Sequence, residues 1–421
     1  MSEPLETKKI FEAACNRFAR GHLVLADFLL REIFERDPEH PGGLNLLGEI
    51  SLALGFNDKA TDAFERAIDC DPGLLRAREN LEKAQRPRPR CEDSDLRYLL
   101  VKAWGFGFWS DVSHTLACLL LSEISGRIPV VHWGHNSLFR DDPEDDAFRL
   151  YFDPVSDVTI DDLAATRPIT IFPDKWSVEN LRAEEYGKWE GDSSRLGGIN
   201  FLNHSETLAV VDFYVSVIEL MPWLPKLHPM ADKSIDEVFQ YLTAKYLRPR
   251  AAIMDEVRLF HEAHLAGRFV IAAHLRGSDK RLETGEADDV NGRCLDAIDL
   301  ESSDATIFVM TDDARCLALA HDRFGDRVVA TDCQRTANDT GPHLLSSNHR
   351  VRLGGEVMVD TYIALGCDKF IGNGHSSVSA MIAVLKQWPT SACQLIASPR
   401  LHKRNLDVYT MADPKMPEAF W

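Results

Sequence analysis

The first 86 residues carry small and apolar positions at a fixed spacing. Asp37-Pro38 and Asp71-Pro72 stand 34 residues apart, and Ala13, Ala14, Ala26, Leu30 and Ile33 in 7–40 return as Leu47, Gly48, Ala60, Phe64 and Ala67 in 41–74. This period predicts paired helices stacked as repeats. The small residues let the two helices of a pair approach closely, Leu30 and Phe64 fill the space between them, and each proline ends the second helix. A third amphipathic stretch at 74–84 is expected to cap the stack. Arg86-Pro-Arg-Pro-Arg90 follows, and its alternating prolines predict a stiff linker and a domain boundary.

Beyond the linker the pattern changes. Short apolar runs at 99–103, 128–132, 169–172, 269–274, 306–311, 327–331 and 369–372 read as strands. Stretches at 112–125, 205–220, 234–246, 251–266, 314–324, 355–365 and 378–385 read as helices. The alternation predicts an α/β protein with parallel sheets, built as two Rossmann-like halves at 87–245 and 246–421 behind the all-α domain at 1–86. Several strands run into polar or glycine-containing loops, and in open α/β sheets ligands lie beyond the carboxyl ends of the strands.

Charge and cysteine usage narrow the function class. The 421 residues carry 47 Lys+Arg against 66 Asp+Glu, a net charge of −19. That balance excludes a general nucleic-acid binder and docking on an anionic membrane. The apolar run at 116–121 is far shorter than the ~20 residues a membrane span needs, and the start, without an apolar core, is not expected to be a signal peptide. The nine cysteines are scattered without a C-x-x-C pair, as expected for reduced thiols in a cytoplasmic protein.

Five segments carry candidate chemistry. His274-Leu-Arg-Gly-Ser-Asp-Lys280 follows an apolar run directly, so Arg276 stands at a strand end, where its forked guanidinium suits either a diphosphate or a salt-bridged turn. Asn373-Gly-His-Ser-Ser377 lies at a strand-to-helix junction and suits either an anion site or ordinary helix capping by Ser376 or Ser377. Thr311-Asp312-Asp313 ends another strand, where its carboxylates either cap the next helix or bind a metal, though no companion ligand stands at metal spacing. Gly105 and Gly107 flank a turn before Asp111 that lets a ligand approach the backbone or simply tightens the chain. Asp360 lies within a helix and by itself reads as solvated.

Taken in order, these segments resemble the fucosyltransferase superfamily that includes α1,6-fucosyltransferases, rhizobial Nod-factor fucosyltransferases and protein O-fucosyltransferases. His274 to Lys280 resembles its H-x-R-x-x-D-K motif, Phe308 to Asp313 its strand ending in T-D-D, and Asp360 through Ser376-Ser377 its third motif. Gly105-Phe-Gly-Phe108 resembles the glycine loop that opens the amino-terminal half, so the resemblance covers roughly 96–400. The amino-terminal period resembles tetratricopeptide repeats.

The resemblance implies a GT-B fold, GDP-fucose as donor, inversion at the anomeric carbon, and no cofactor or metal. It implies that Arg276 binds the β-phosphate, His274 and Asp360 contact guanine, Ser376 and Ser377 hold phosphate oxygens, and Asp312 and Lys280 support the donor loop. Inversion requires a general base, for which Asp111, Glu283 and Glu286 are candidates. Two positions depart from the family: Gly277 stands where α1,6-fucosyltransferases have a second arginine, and Thr284 stands where a carboxylate would suit the base. The acceptor is expected to be a glycan or a protein, and the repeat module to grip a protein partner or a second copy of itself. The rival readings are transfer from another GDP- or UDP-sugar, and an inactive tetratricopeptide adaptor with a GT-B body.

Overall fold

A side chain at position 48 would have no room: in the computed structural model a Cβ on Gly48 would stand 2.3 Å from Phe64 Cε1. This contact joins helices Pro41–Ala53 and Asn57–Cys70, the second of two pairs that begin with Leu5–Ala19 and Leu23–Arg36. Ala14, Ala26, Leu30, Ala60 and Phe64 are fully buried, as the spacing predicts. Helix Leu75–Ala84 caps the stack. The structure describes residues 5–85, 96–167, 169–183, 197–345, 349–397 and 401, so the proline-rich linker at 86–90 lies outside the described residues.

The helical domain packs on the body rather than standing clear of it. Lys59 Nζ donates to the carbonyl of Pro222 at 2.9 Å, and Asn203 Nδ2 donates to the carbonyl of Ala53 at 3.1 Å. Phe56 meets Trp223 with ring centroids 5.8 Å apart. One hydrophobic core therefore runs from Ala14, Ile50 and Leu54 through Leu119, Leu220 and Trp223.

Two parallel sheets make up the body. The first contains β1 (Tyr98–Lys102), β2 (Ile128–His132), β3 (Ile171–Phe172) and β4 (Leu208–Val211), in the order β2-β1-β4-β3. The second contains β5 (Val270–His274), β6 (Thr306–Met310), β7 (Val328–Val329), β8 (Lys369–Asn373) and β9 (Cys393–Ile396), in the order β7-β6-β5-β8-β9. Every residue of β5 and β6 is buried, which is why both read as unbroken apolar runs rather than alternating ones. The two α/β halves expected from the sequence are therefore present, and a cleft lies between them.

The segment 205–220, read above as one helix, is instead β4, a bend and the short helix Val217–Leu220. Leu208, Ala209, Val210 and Val211 are all fully buried, and β4 sits between β1 and β3. A strand buried on both faces offers no alternation, so its apolar run mimics a helical core face. Strand β9 and helix Ala287–Asp299 were absent from the sequence reading. The strand expected at 327–331 shortens to β7.

Side chains also tie the halves together. Tyr151 Oη shares its one proton between the carbonyls of Phe139 at 2.7 Å and Val351 at 3.0 Å, reaching from the first half to helix Arg350–Leu365 of the second. That approach requires Gly354, where a Cβ would meet Tyr151 Oη at 2.3 Å.

Candidate functional site

The carboxyl end of β5 delivers Leu275-Arg276-Gly277-Ser278 into the cleft. Ser278 turns the chain at φ +45°, in the left-handed region, so that the loop folds back over the end of β6. Its amide donates to Asp313 Oδ2 at 3.0 Å, while its hydroxyl bonds both Asp279 and Asp312. Gly277 packs so tightly here that a Cβ would stand 2.5 Å from Asp313 Cβ.

Asp313 is the anchor of this loop. It caps helix Ala314–Phe324 by accepting from the Arg315 amide at 2.8 Å, and it also pairs with the side chains of Arg315 and Arg281. Burial alone would raise its carboxyl; the bonds from Arg315, Ser278 and Arg281 outweigh burial and hold it well below the ordinary carboxylate range. The second Asp of Thr311-Asp312-Asp313 is thus a helix cap.

Arg276 is held between two carboxylates. Its Nη2 donates to Asp279 Oδ1 at 2.7 Å, and its Nη1 pairs with Asp312. Its backbone is pinned by Asn291, which accepts from the Arg276 amide at 3.1 Å and donates to its carbonyl at 2.7 Å. Asn373, at the end of β8, donates to the same Asn291 Oδ1 at 3.0 Å, so the loops after β5 and β8 share one buried amide pair. The guanidinium is therefore presented in one orientation.

The loop after β8 ends at Ser376, whose hydroxyl accepts from the Val378 amide and opens helix Ser377–Leu385. Ser376, Ser377 and Val378 face a cavity of about 160 Å³ between the halves, so the positive end of that helix points into it. His274, Arg276, Asp312 and Asp360 line the same cavity, and Gly107 contributes from the first half.

His274 and Asp360 mark two buried corners. His274 Nδ1 pairs with Ser379 Oγ at 2.6 Å, and burial, aided by Arg276, pushes the imidazole down to about 3, so it is neutral at ordinary pH. Asp360 accepts from Thr331 Oγ1 at 2.6 Å. Burial raises its carboxyl to about 7, against the lowering pull of Thr331 and Arg335. In its ionised form this carboxyl can accept N–H donors, and such donors in turn favour that form.

The base candidates fall elsewhere. Asp111 is fully buried and does not line the cavity: its Oδ1 accepts from the Gly105 amide at 2.8 Å and the Phe106 amide at 3.4 Å. It closes the loop that brings Gly107 to the cleft, with Gly105 at φ +89° as that turn requires. Glu286 is largely exposed, 3.4 Å from His375 Nε2 and next to the Ser376 loop. The side chain of Glu283 lies outside the described residues, and Lys280 begins the short helix Lys280–Thr284 behind Arg276.

Two contributors are missed by the sequence reading. Asn291 had a signal, a polar residue on the buried stripe of Val290, Cys294, Leu295 and Ile298. His343, on the turn Pro342–Leu344, lines the cavity from a loop with no periodicity to announce it.

No family model matches the chain, and no curated protein matches it. Solved structures to which it is similar include fucosyltransferases. One is the fucosyltransferase NodZ from Bradyrhizobium, at 19% identity and a TM-score of 0.46, covering 69% of this chain and 93% of that one. A mutant of FUT1 from Arabidopsis thaliana in complex with GDP follows at 14% identity and 0.46, covering 82% and 80%. POFUT1 in complex with GDP-fucose is similar at 14% identity and 0.42, covering 72% and 99%.

Proposed function

We propose that this chain is a glycosyltransferase that moves fucose from GDP-fucose to a hydroxyl group of a glycan or protein, inverting the anomeric carbon without a metal ion. The observation that carries this reading is the convergence of Arg276, His274, Asp312, Asp360, Ser376 and Ser377, drawn from four separate stretches of sequence, on one cavity between two α/β halves.

Asp360 accepts the N–H edge of guanine, and neutral His274 lies alongside. Arg276 exchanges its carboxylate partners for the β-phosphate, and Ser376 with Ser377 and the helix end behind them holds the remaining oxygens. The bond from C1 of fucose to the β-phosphate oxygen breaks, its electron pair leaves with GDP, and the acceptor oxygen bonds C1 from the opposite face. Negative charge grows on the diphosphate, and fixed donors stabilise it most in the transition state. The guanidinium and the helix end supply the charge that a divalent ion supplies in other transferases. The acceptor's proton passes to a carboxylate, for which Glu286 has the solvent-facing position and Asp111 does not.

The repeat domain grips the acceptor, a protein partner or a second copy, and the free thiols of the eight described cysteines suit a cytoplasmic enzyme. Isothermal titration with GDP and GDP-fucose tests the donor assignment. A thermal-shift panel of GDP- and UDP-sugars tests its sugar, since a ligand at 100 times its Kd stabilises by about 2.7 kcal/mol. Tight GDP binding with neither hydrolysis nor transfer would favour the adaptor reading. Loss of activity in EDTA would overturn metal independence.

A further inference from the structure

We propose that His343 is a second cationic contact for the leaving diphosphate, filling the role that the residue after Arg276 cannot. This inference rests on the GDP-sugar reading above.

The site is short of positive charge. The Arg276 guanidinium already faces two carboxylates, Asp279 at 2.7 Å and Asp312 in direct contact. A diphosphate brought to this corner adds further negative charge beside Asp279 and Asp312. A neighbouring arginine at 277 is not available, because any Cβ there would stand 2.5 Å from Asp313 Cβ. Asp313 cannot give way, since it caps a helix and holds Arg281 and Arg315.

Among the described cavity-lining residues, three have side-chain nitrogens able to carry a positive charge: His274, Arg276 and His343. His274 is buried, committed to Ser379 and neutral. His343 is half-buried and comes from the turn Pro342–Leu344, on a different loop from either motif. Gly341 lets it close in: the point where a Cβ would stand lies 2.9 Å from both His343 Nδ1 and Asp279 Oδ1. The imidazole is therefore set beside the very carboxylate that restrains Arg276. Asp279 also feels it, because Arg276, Ser278, His343 and Lys280 outweigh burial and hold its carboxyl below the ordinary range. When a diphosphate takes the place of Asp279 on Arg276, the imidazole lies within the same corner, where the neighbouring anions favour its protonated form, and donates to a phosphate oxygen. The released carboxylate stays beside it.

The test uses the full chain with His343→Gln and two probes, GDP and guanosine, in isothermal titration. GDP affinity is expected to fall about tenfold or more, the size of a lost charge-assisted hydrogen bond, while guanosine affinity holds to within about twofold. Unchanged GDP affinity overturns the proposal, and so does an equal loss for both probes, which would mean that His343 only shapes the pocket. If the unmodified chain binds neither probe, the GDP-sugar reading falls first and this one with it.

Discussion

Trp109 Nε1 donates to Thr361 Oγ1 at 2.8 Å across the cleft, one residue beyond Asp360. Trp109 belongs to helix Phe108–Ser125, which opens at Gly107, so the bond links the glycine loop of one half to the Asp360 corner of the other. Thr361 passes the bond on to the carbonyl of Val357 at 2.8 Å. Trp109→Phe keeps most of the packing and removes this link. It is expected to lower stability by about 1 kcal/mol and to raise the KM for the donor more than it lowers kcat. Denaturant melts and donor-dependent kinetics check both.

Arg276→Ala is expected to lower kcat by about 100- to 1,000-fold, on the scale of one lost oxyanion donor at about 2.7–4 kcal/mol. Arg276→Lys should recover only part, because an ammonium cannot replace the fork that spans two carboxylates or a phosphate. Single-turnover transfer rates at saturating donor separate this from a binding defect.

Asp360 gives a pH prediction with a definite sign. Its carboxyl is raised from 3.8 to about 7 by burial, so between those values the folded protein holds a proton that the unfolded chain releases. Stability therefore falls as pH rises through that window, by an amount on the order of 4 kcal/mol, and stays low above it. Asp360→Asn should melt higher than the parent at pH 8, and the gap should close toward pH 4. The same variant should lose guanosine binding. Melting curves at both pH values, with and without guanosine, check the pair of outcomes.

His274 works in the opposite direction. With its imidazole pushed down to about 3 from 6.5, the unfolded chain binds the extra proton first. Stability is thus lost as pH falls from about 6.5 toward 3, and His274→Gln should flatten that limb of the stability profile. An unchanged acid limb would show that other groups govern it.

Asp313→Ala is expected to cost about 1–3 kcal/mol, because it uncaps a helix and leaves the buried Ser278 amide unpaired, while Arg281 keeps Asp288 and Arg315 keeps Asp339. Gly277→Ala should weaken GDP binding by displacing this loop. A Gly277→Ala protein that binds GDP normally would contradict the packing described here.

Much of this was legible before any coordinates. Arg276, Ser376 and Asp312 announce themselves because each stands just past an apolar run, and a strand end is where an α/β sheet presents its chemistry. Gly48 and Phe64 are legible because repeat packing forces a small residue opposite a large one. What sequence could not give was β4, whose complete burial erases alternation, and the role of Asp111, whose carboxylate serves two backbone amides. His343 was invisible because loop residues carry no period; only the fold brings 343 to 279. Asp360 reads as solvated by itself, since the loop after β7 that meets it through Thr331 leaves no mark on its own helix.

The shared core between the helical repeats and the first half has a geometric consequence. With Phe56 on Trp223 and Lys59 bonded to Pro222, the helical pairs are fixed to the body rather than tethered to it. A chain held in them would meet the cleft at a set distance and angle. Two acceptors with the same reactive hydroxyl but different spacing from their handle would then be told apart by length alone, with no contact at the hydroxyl itself.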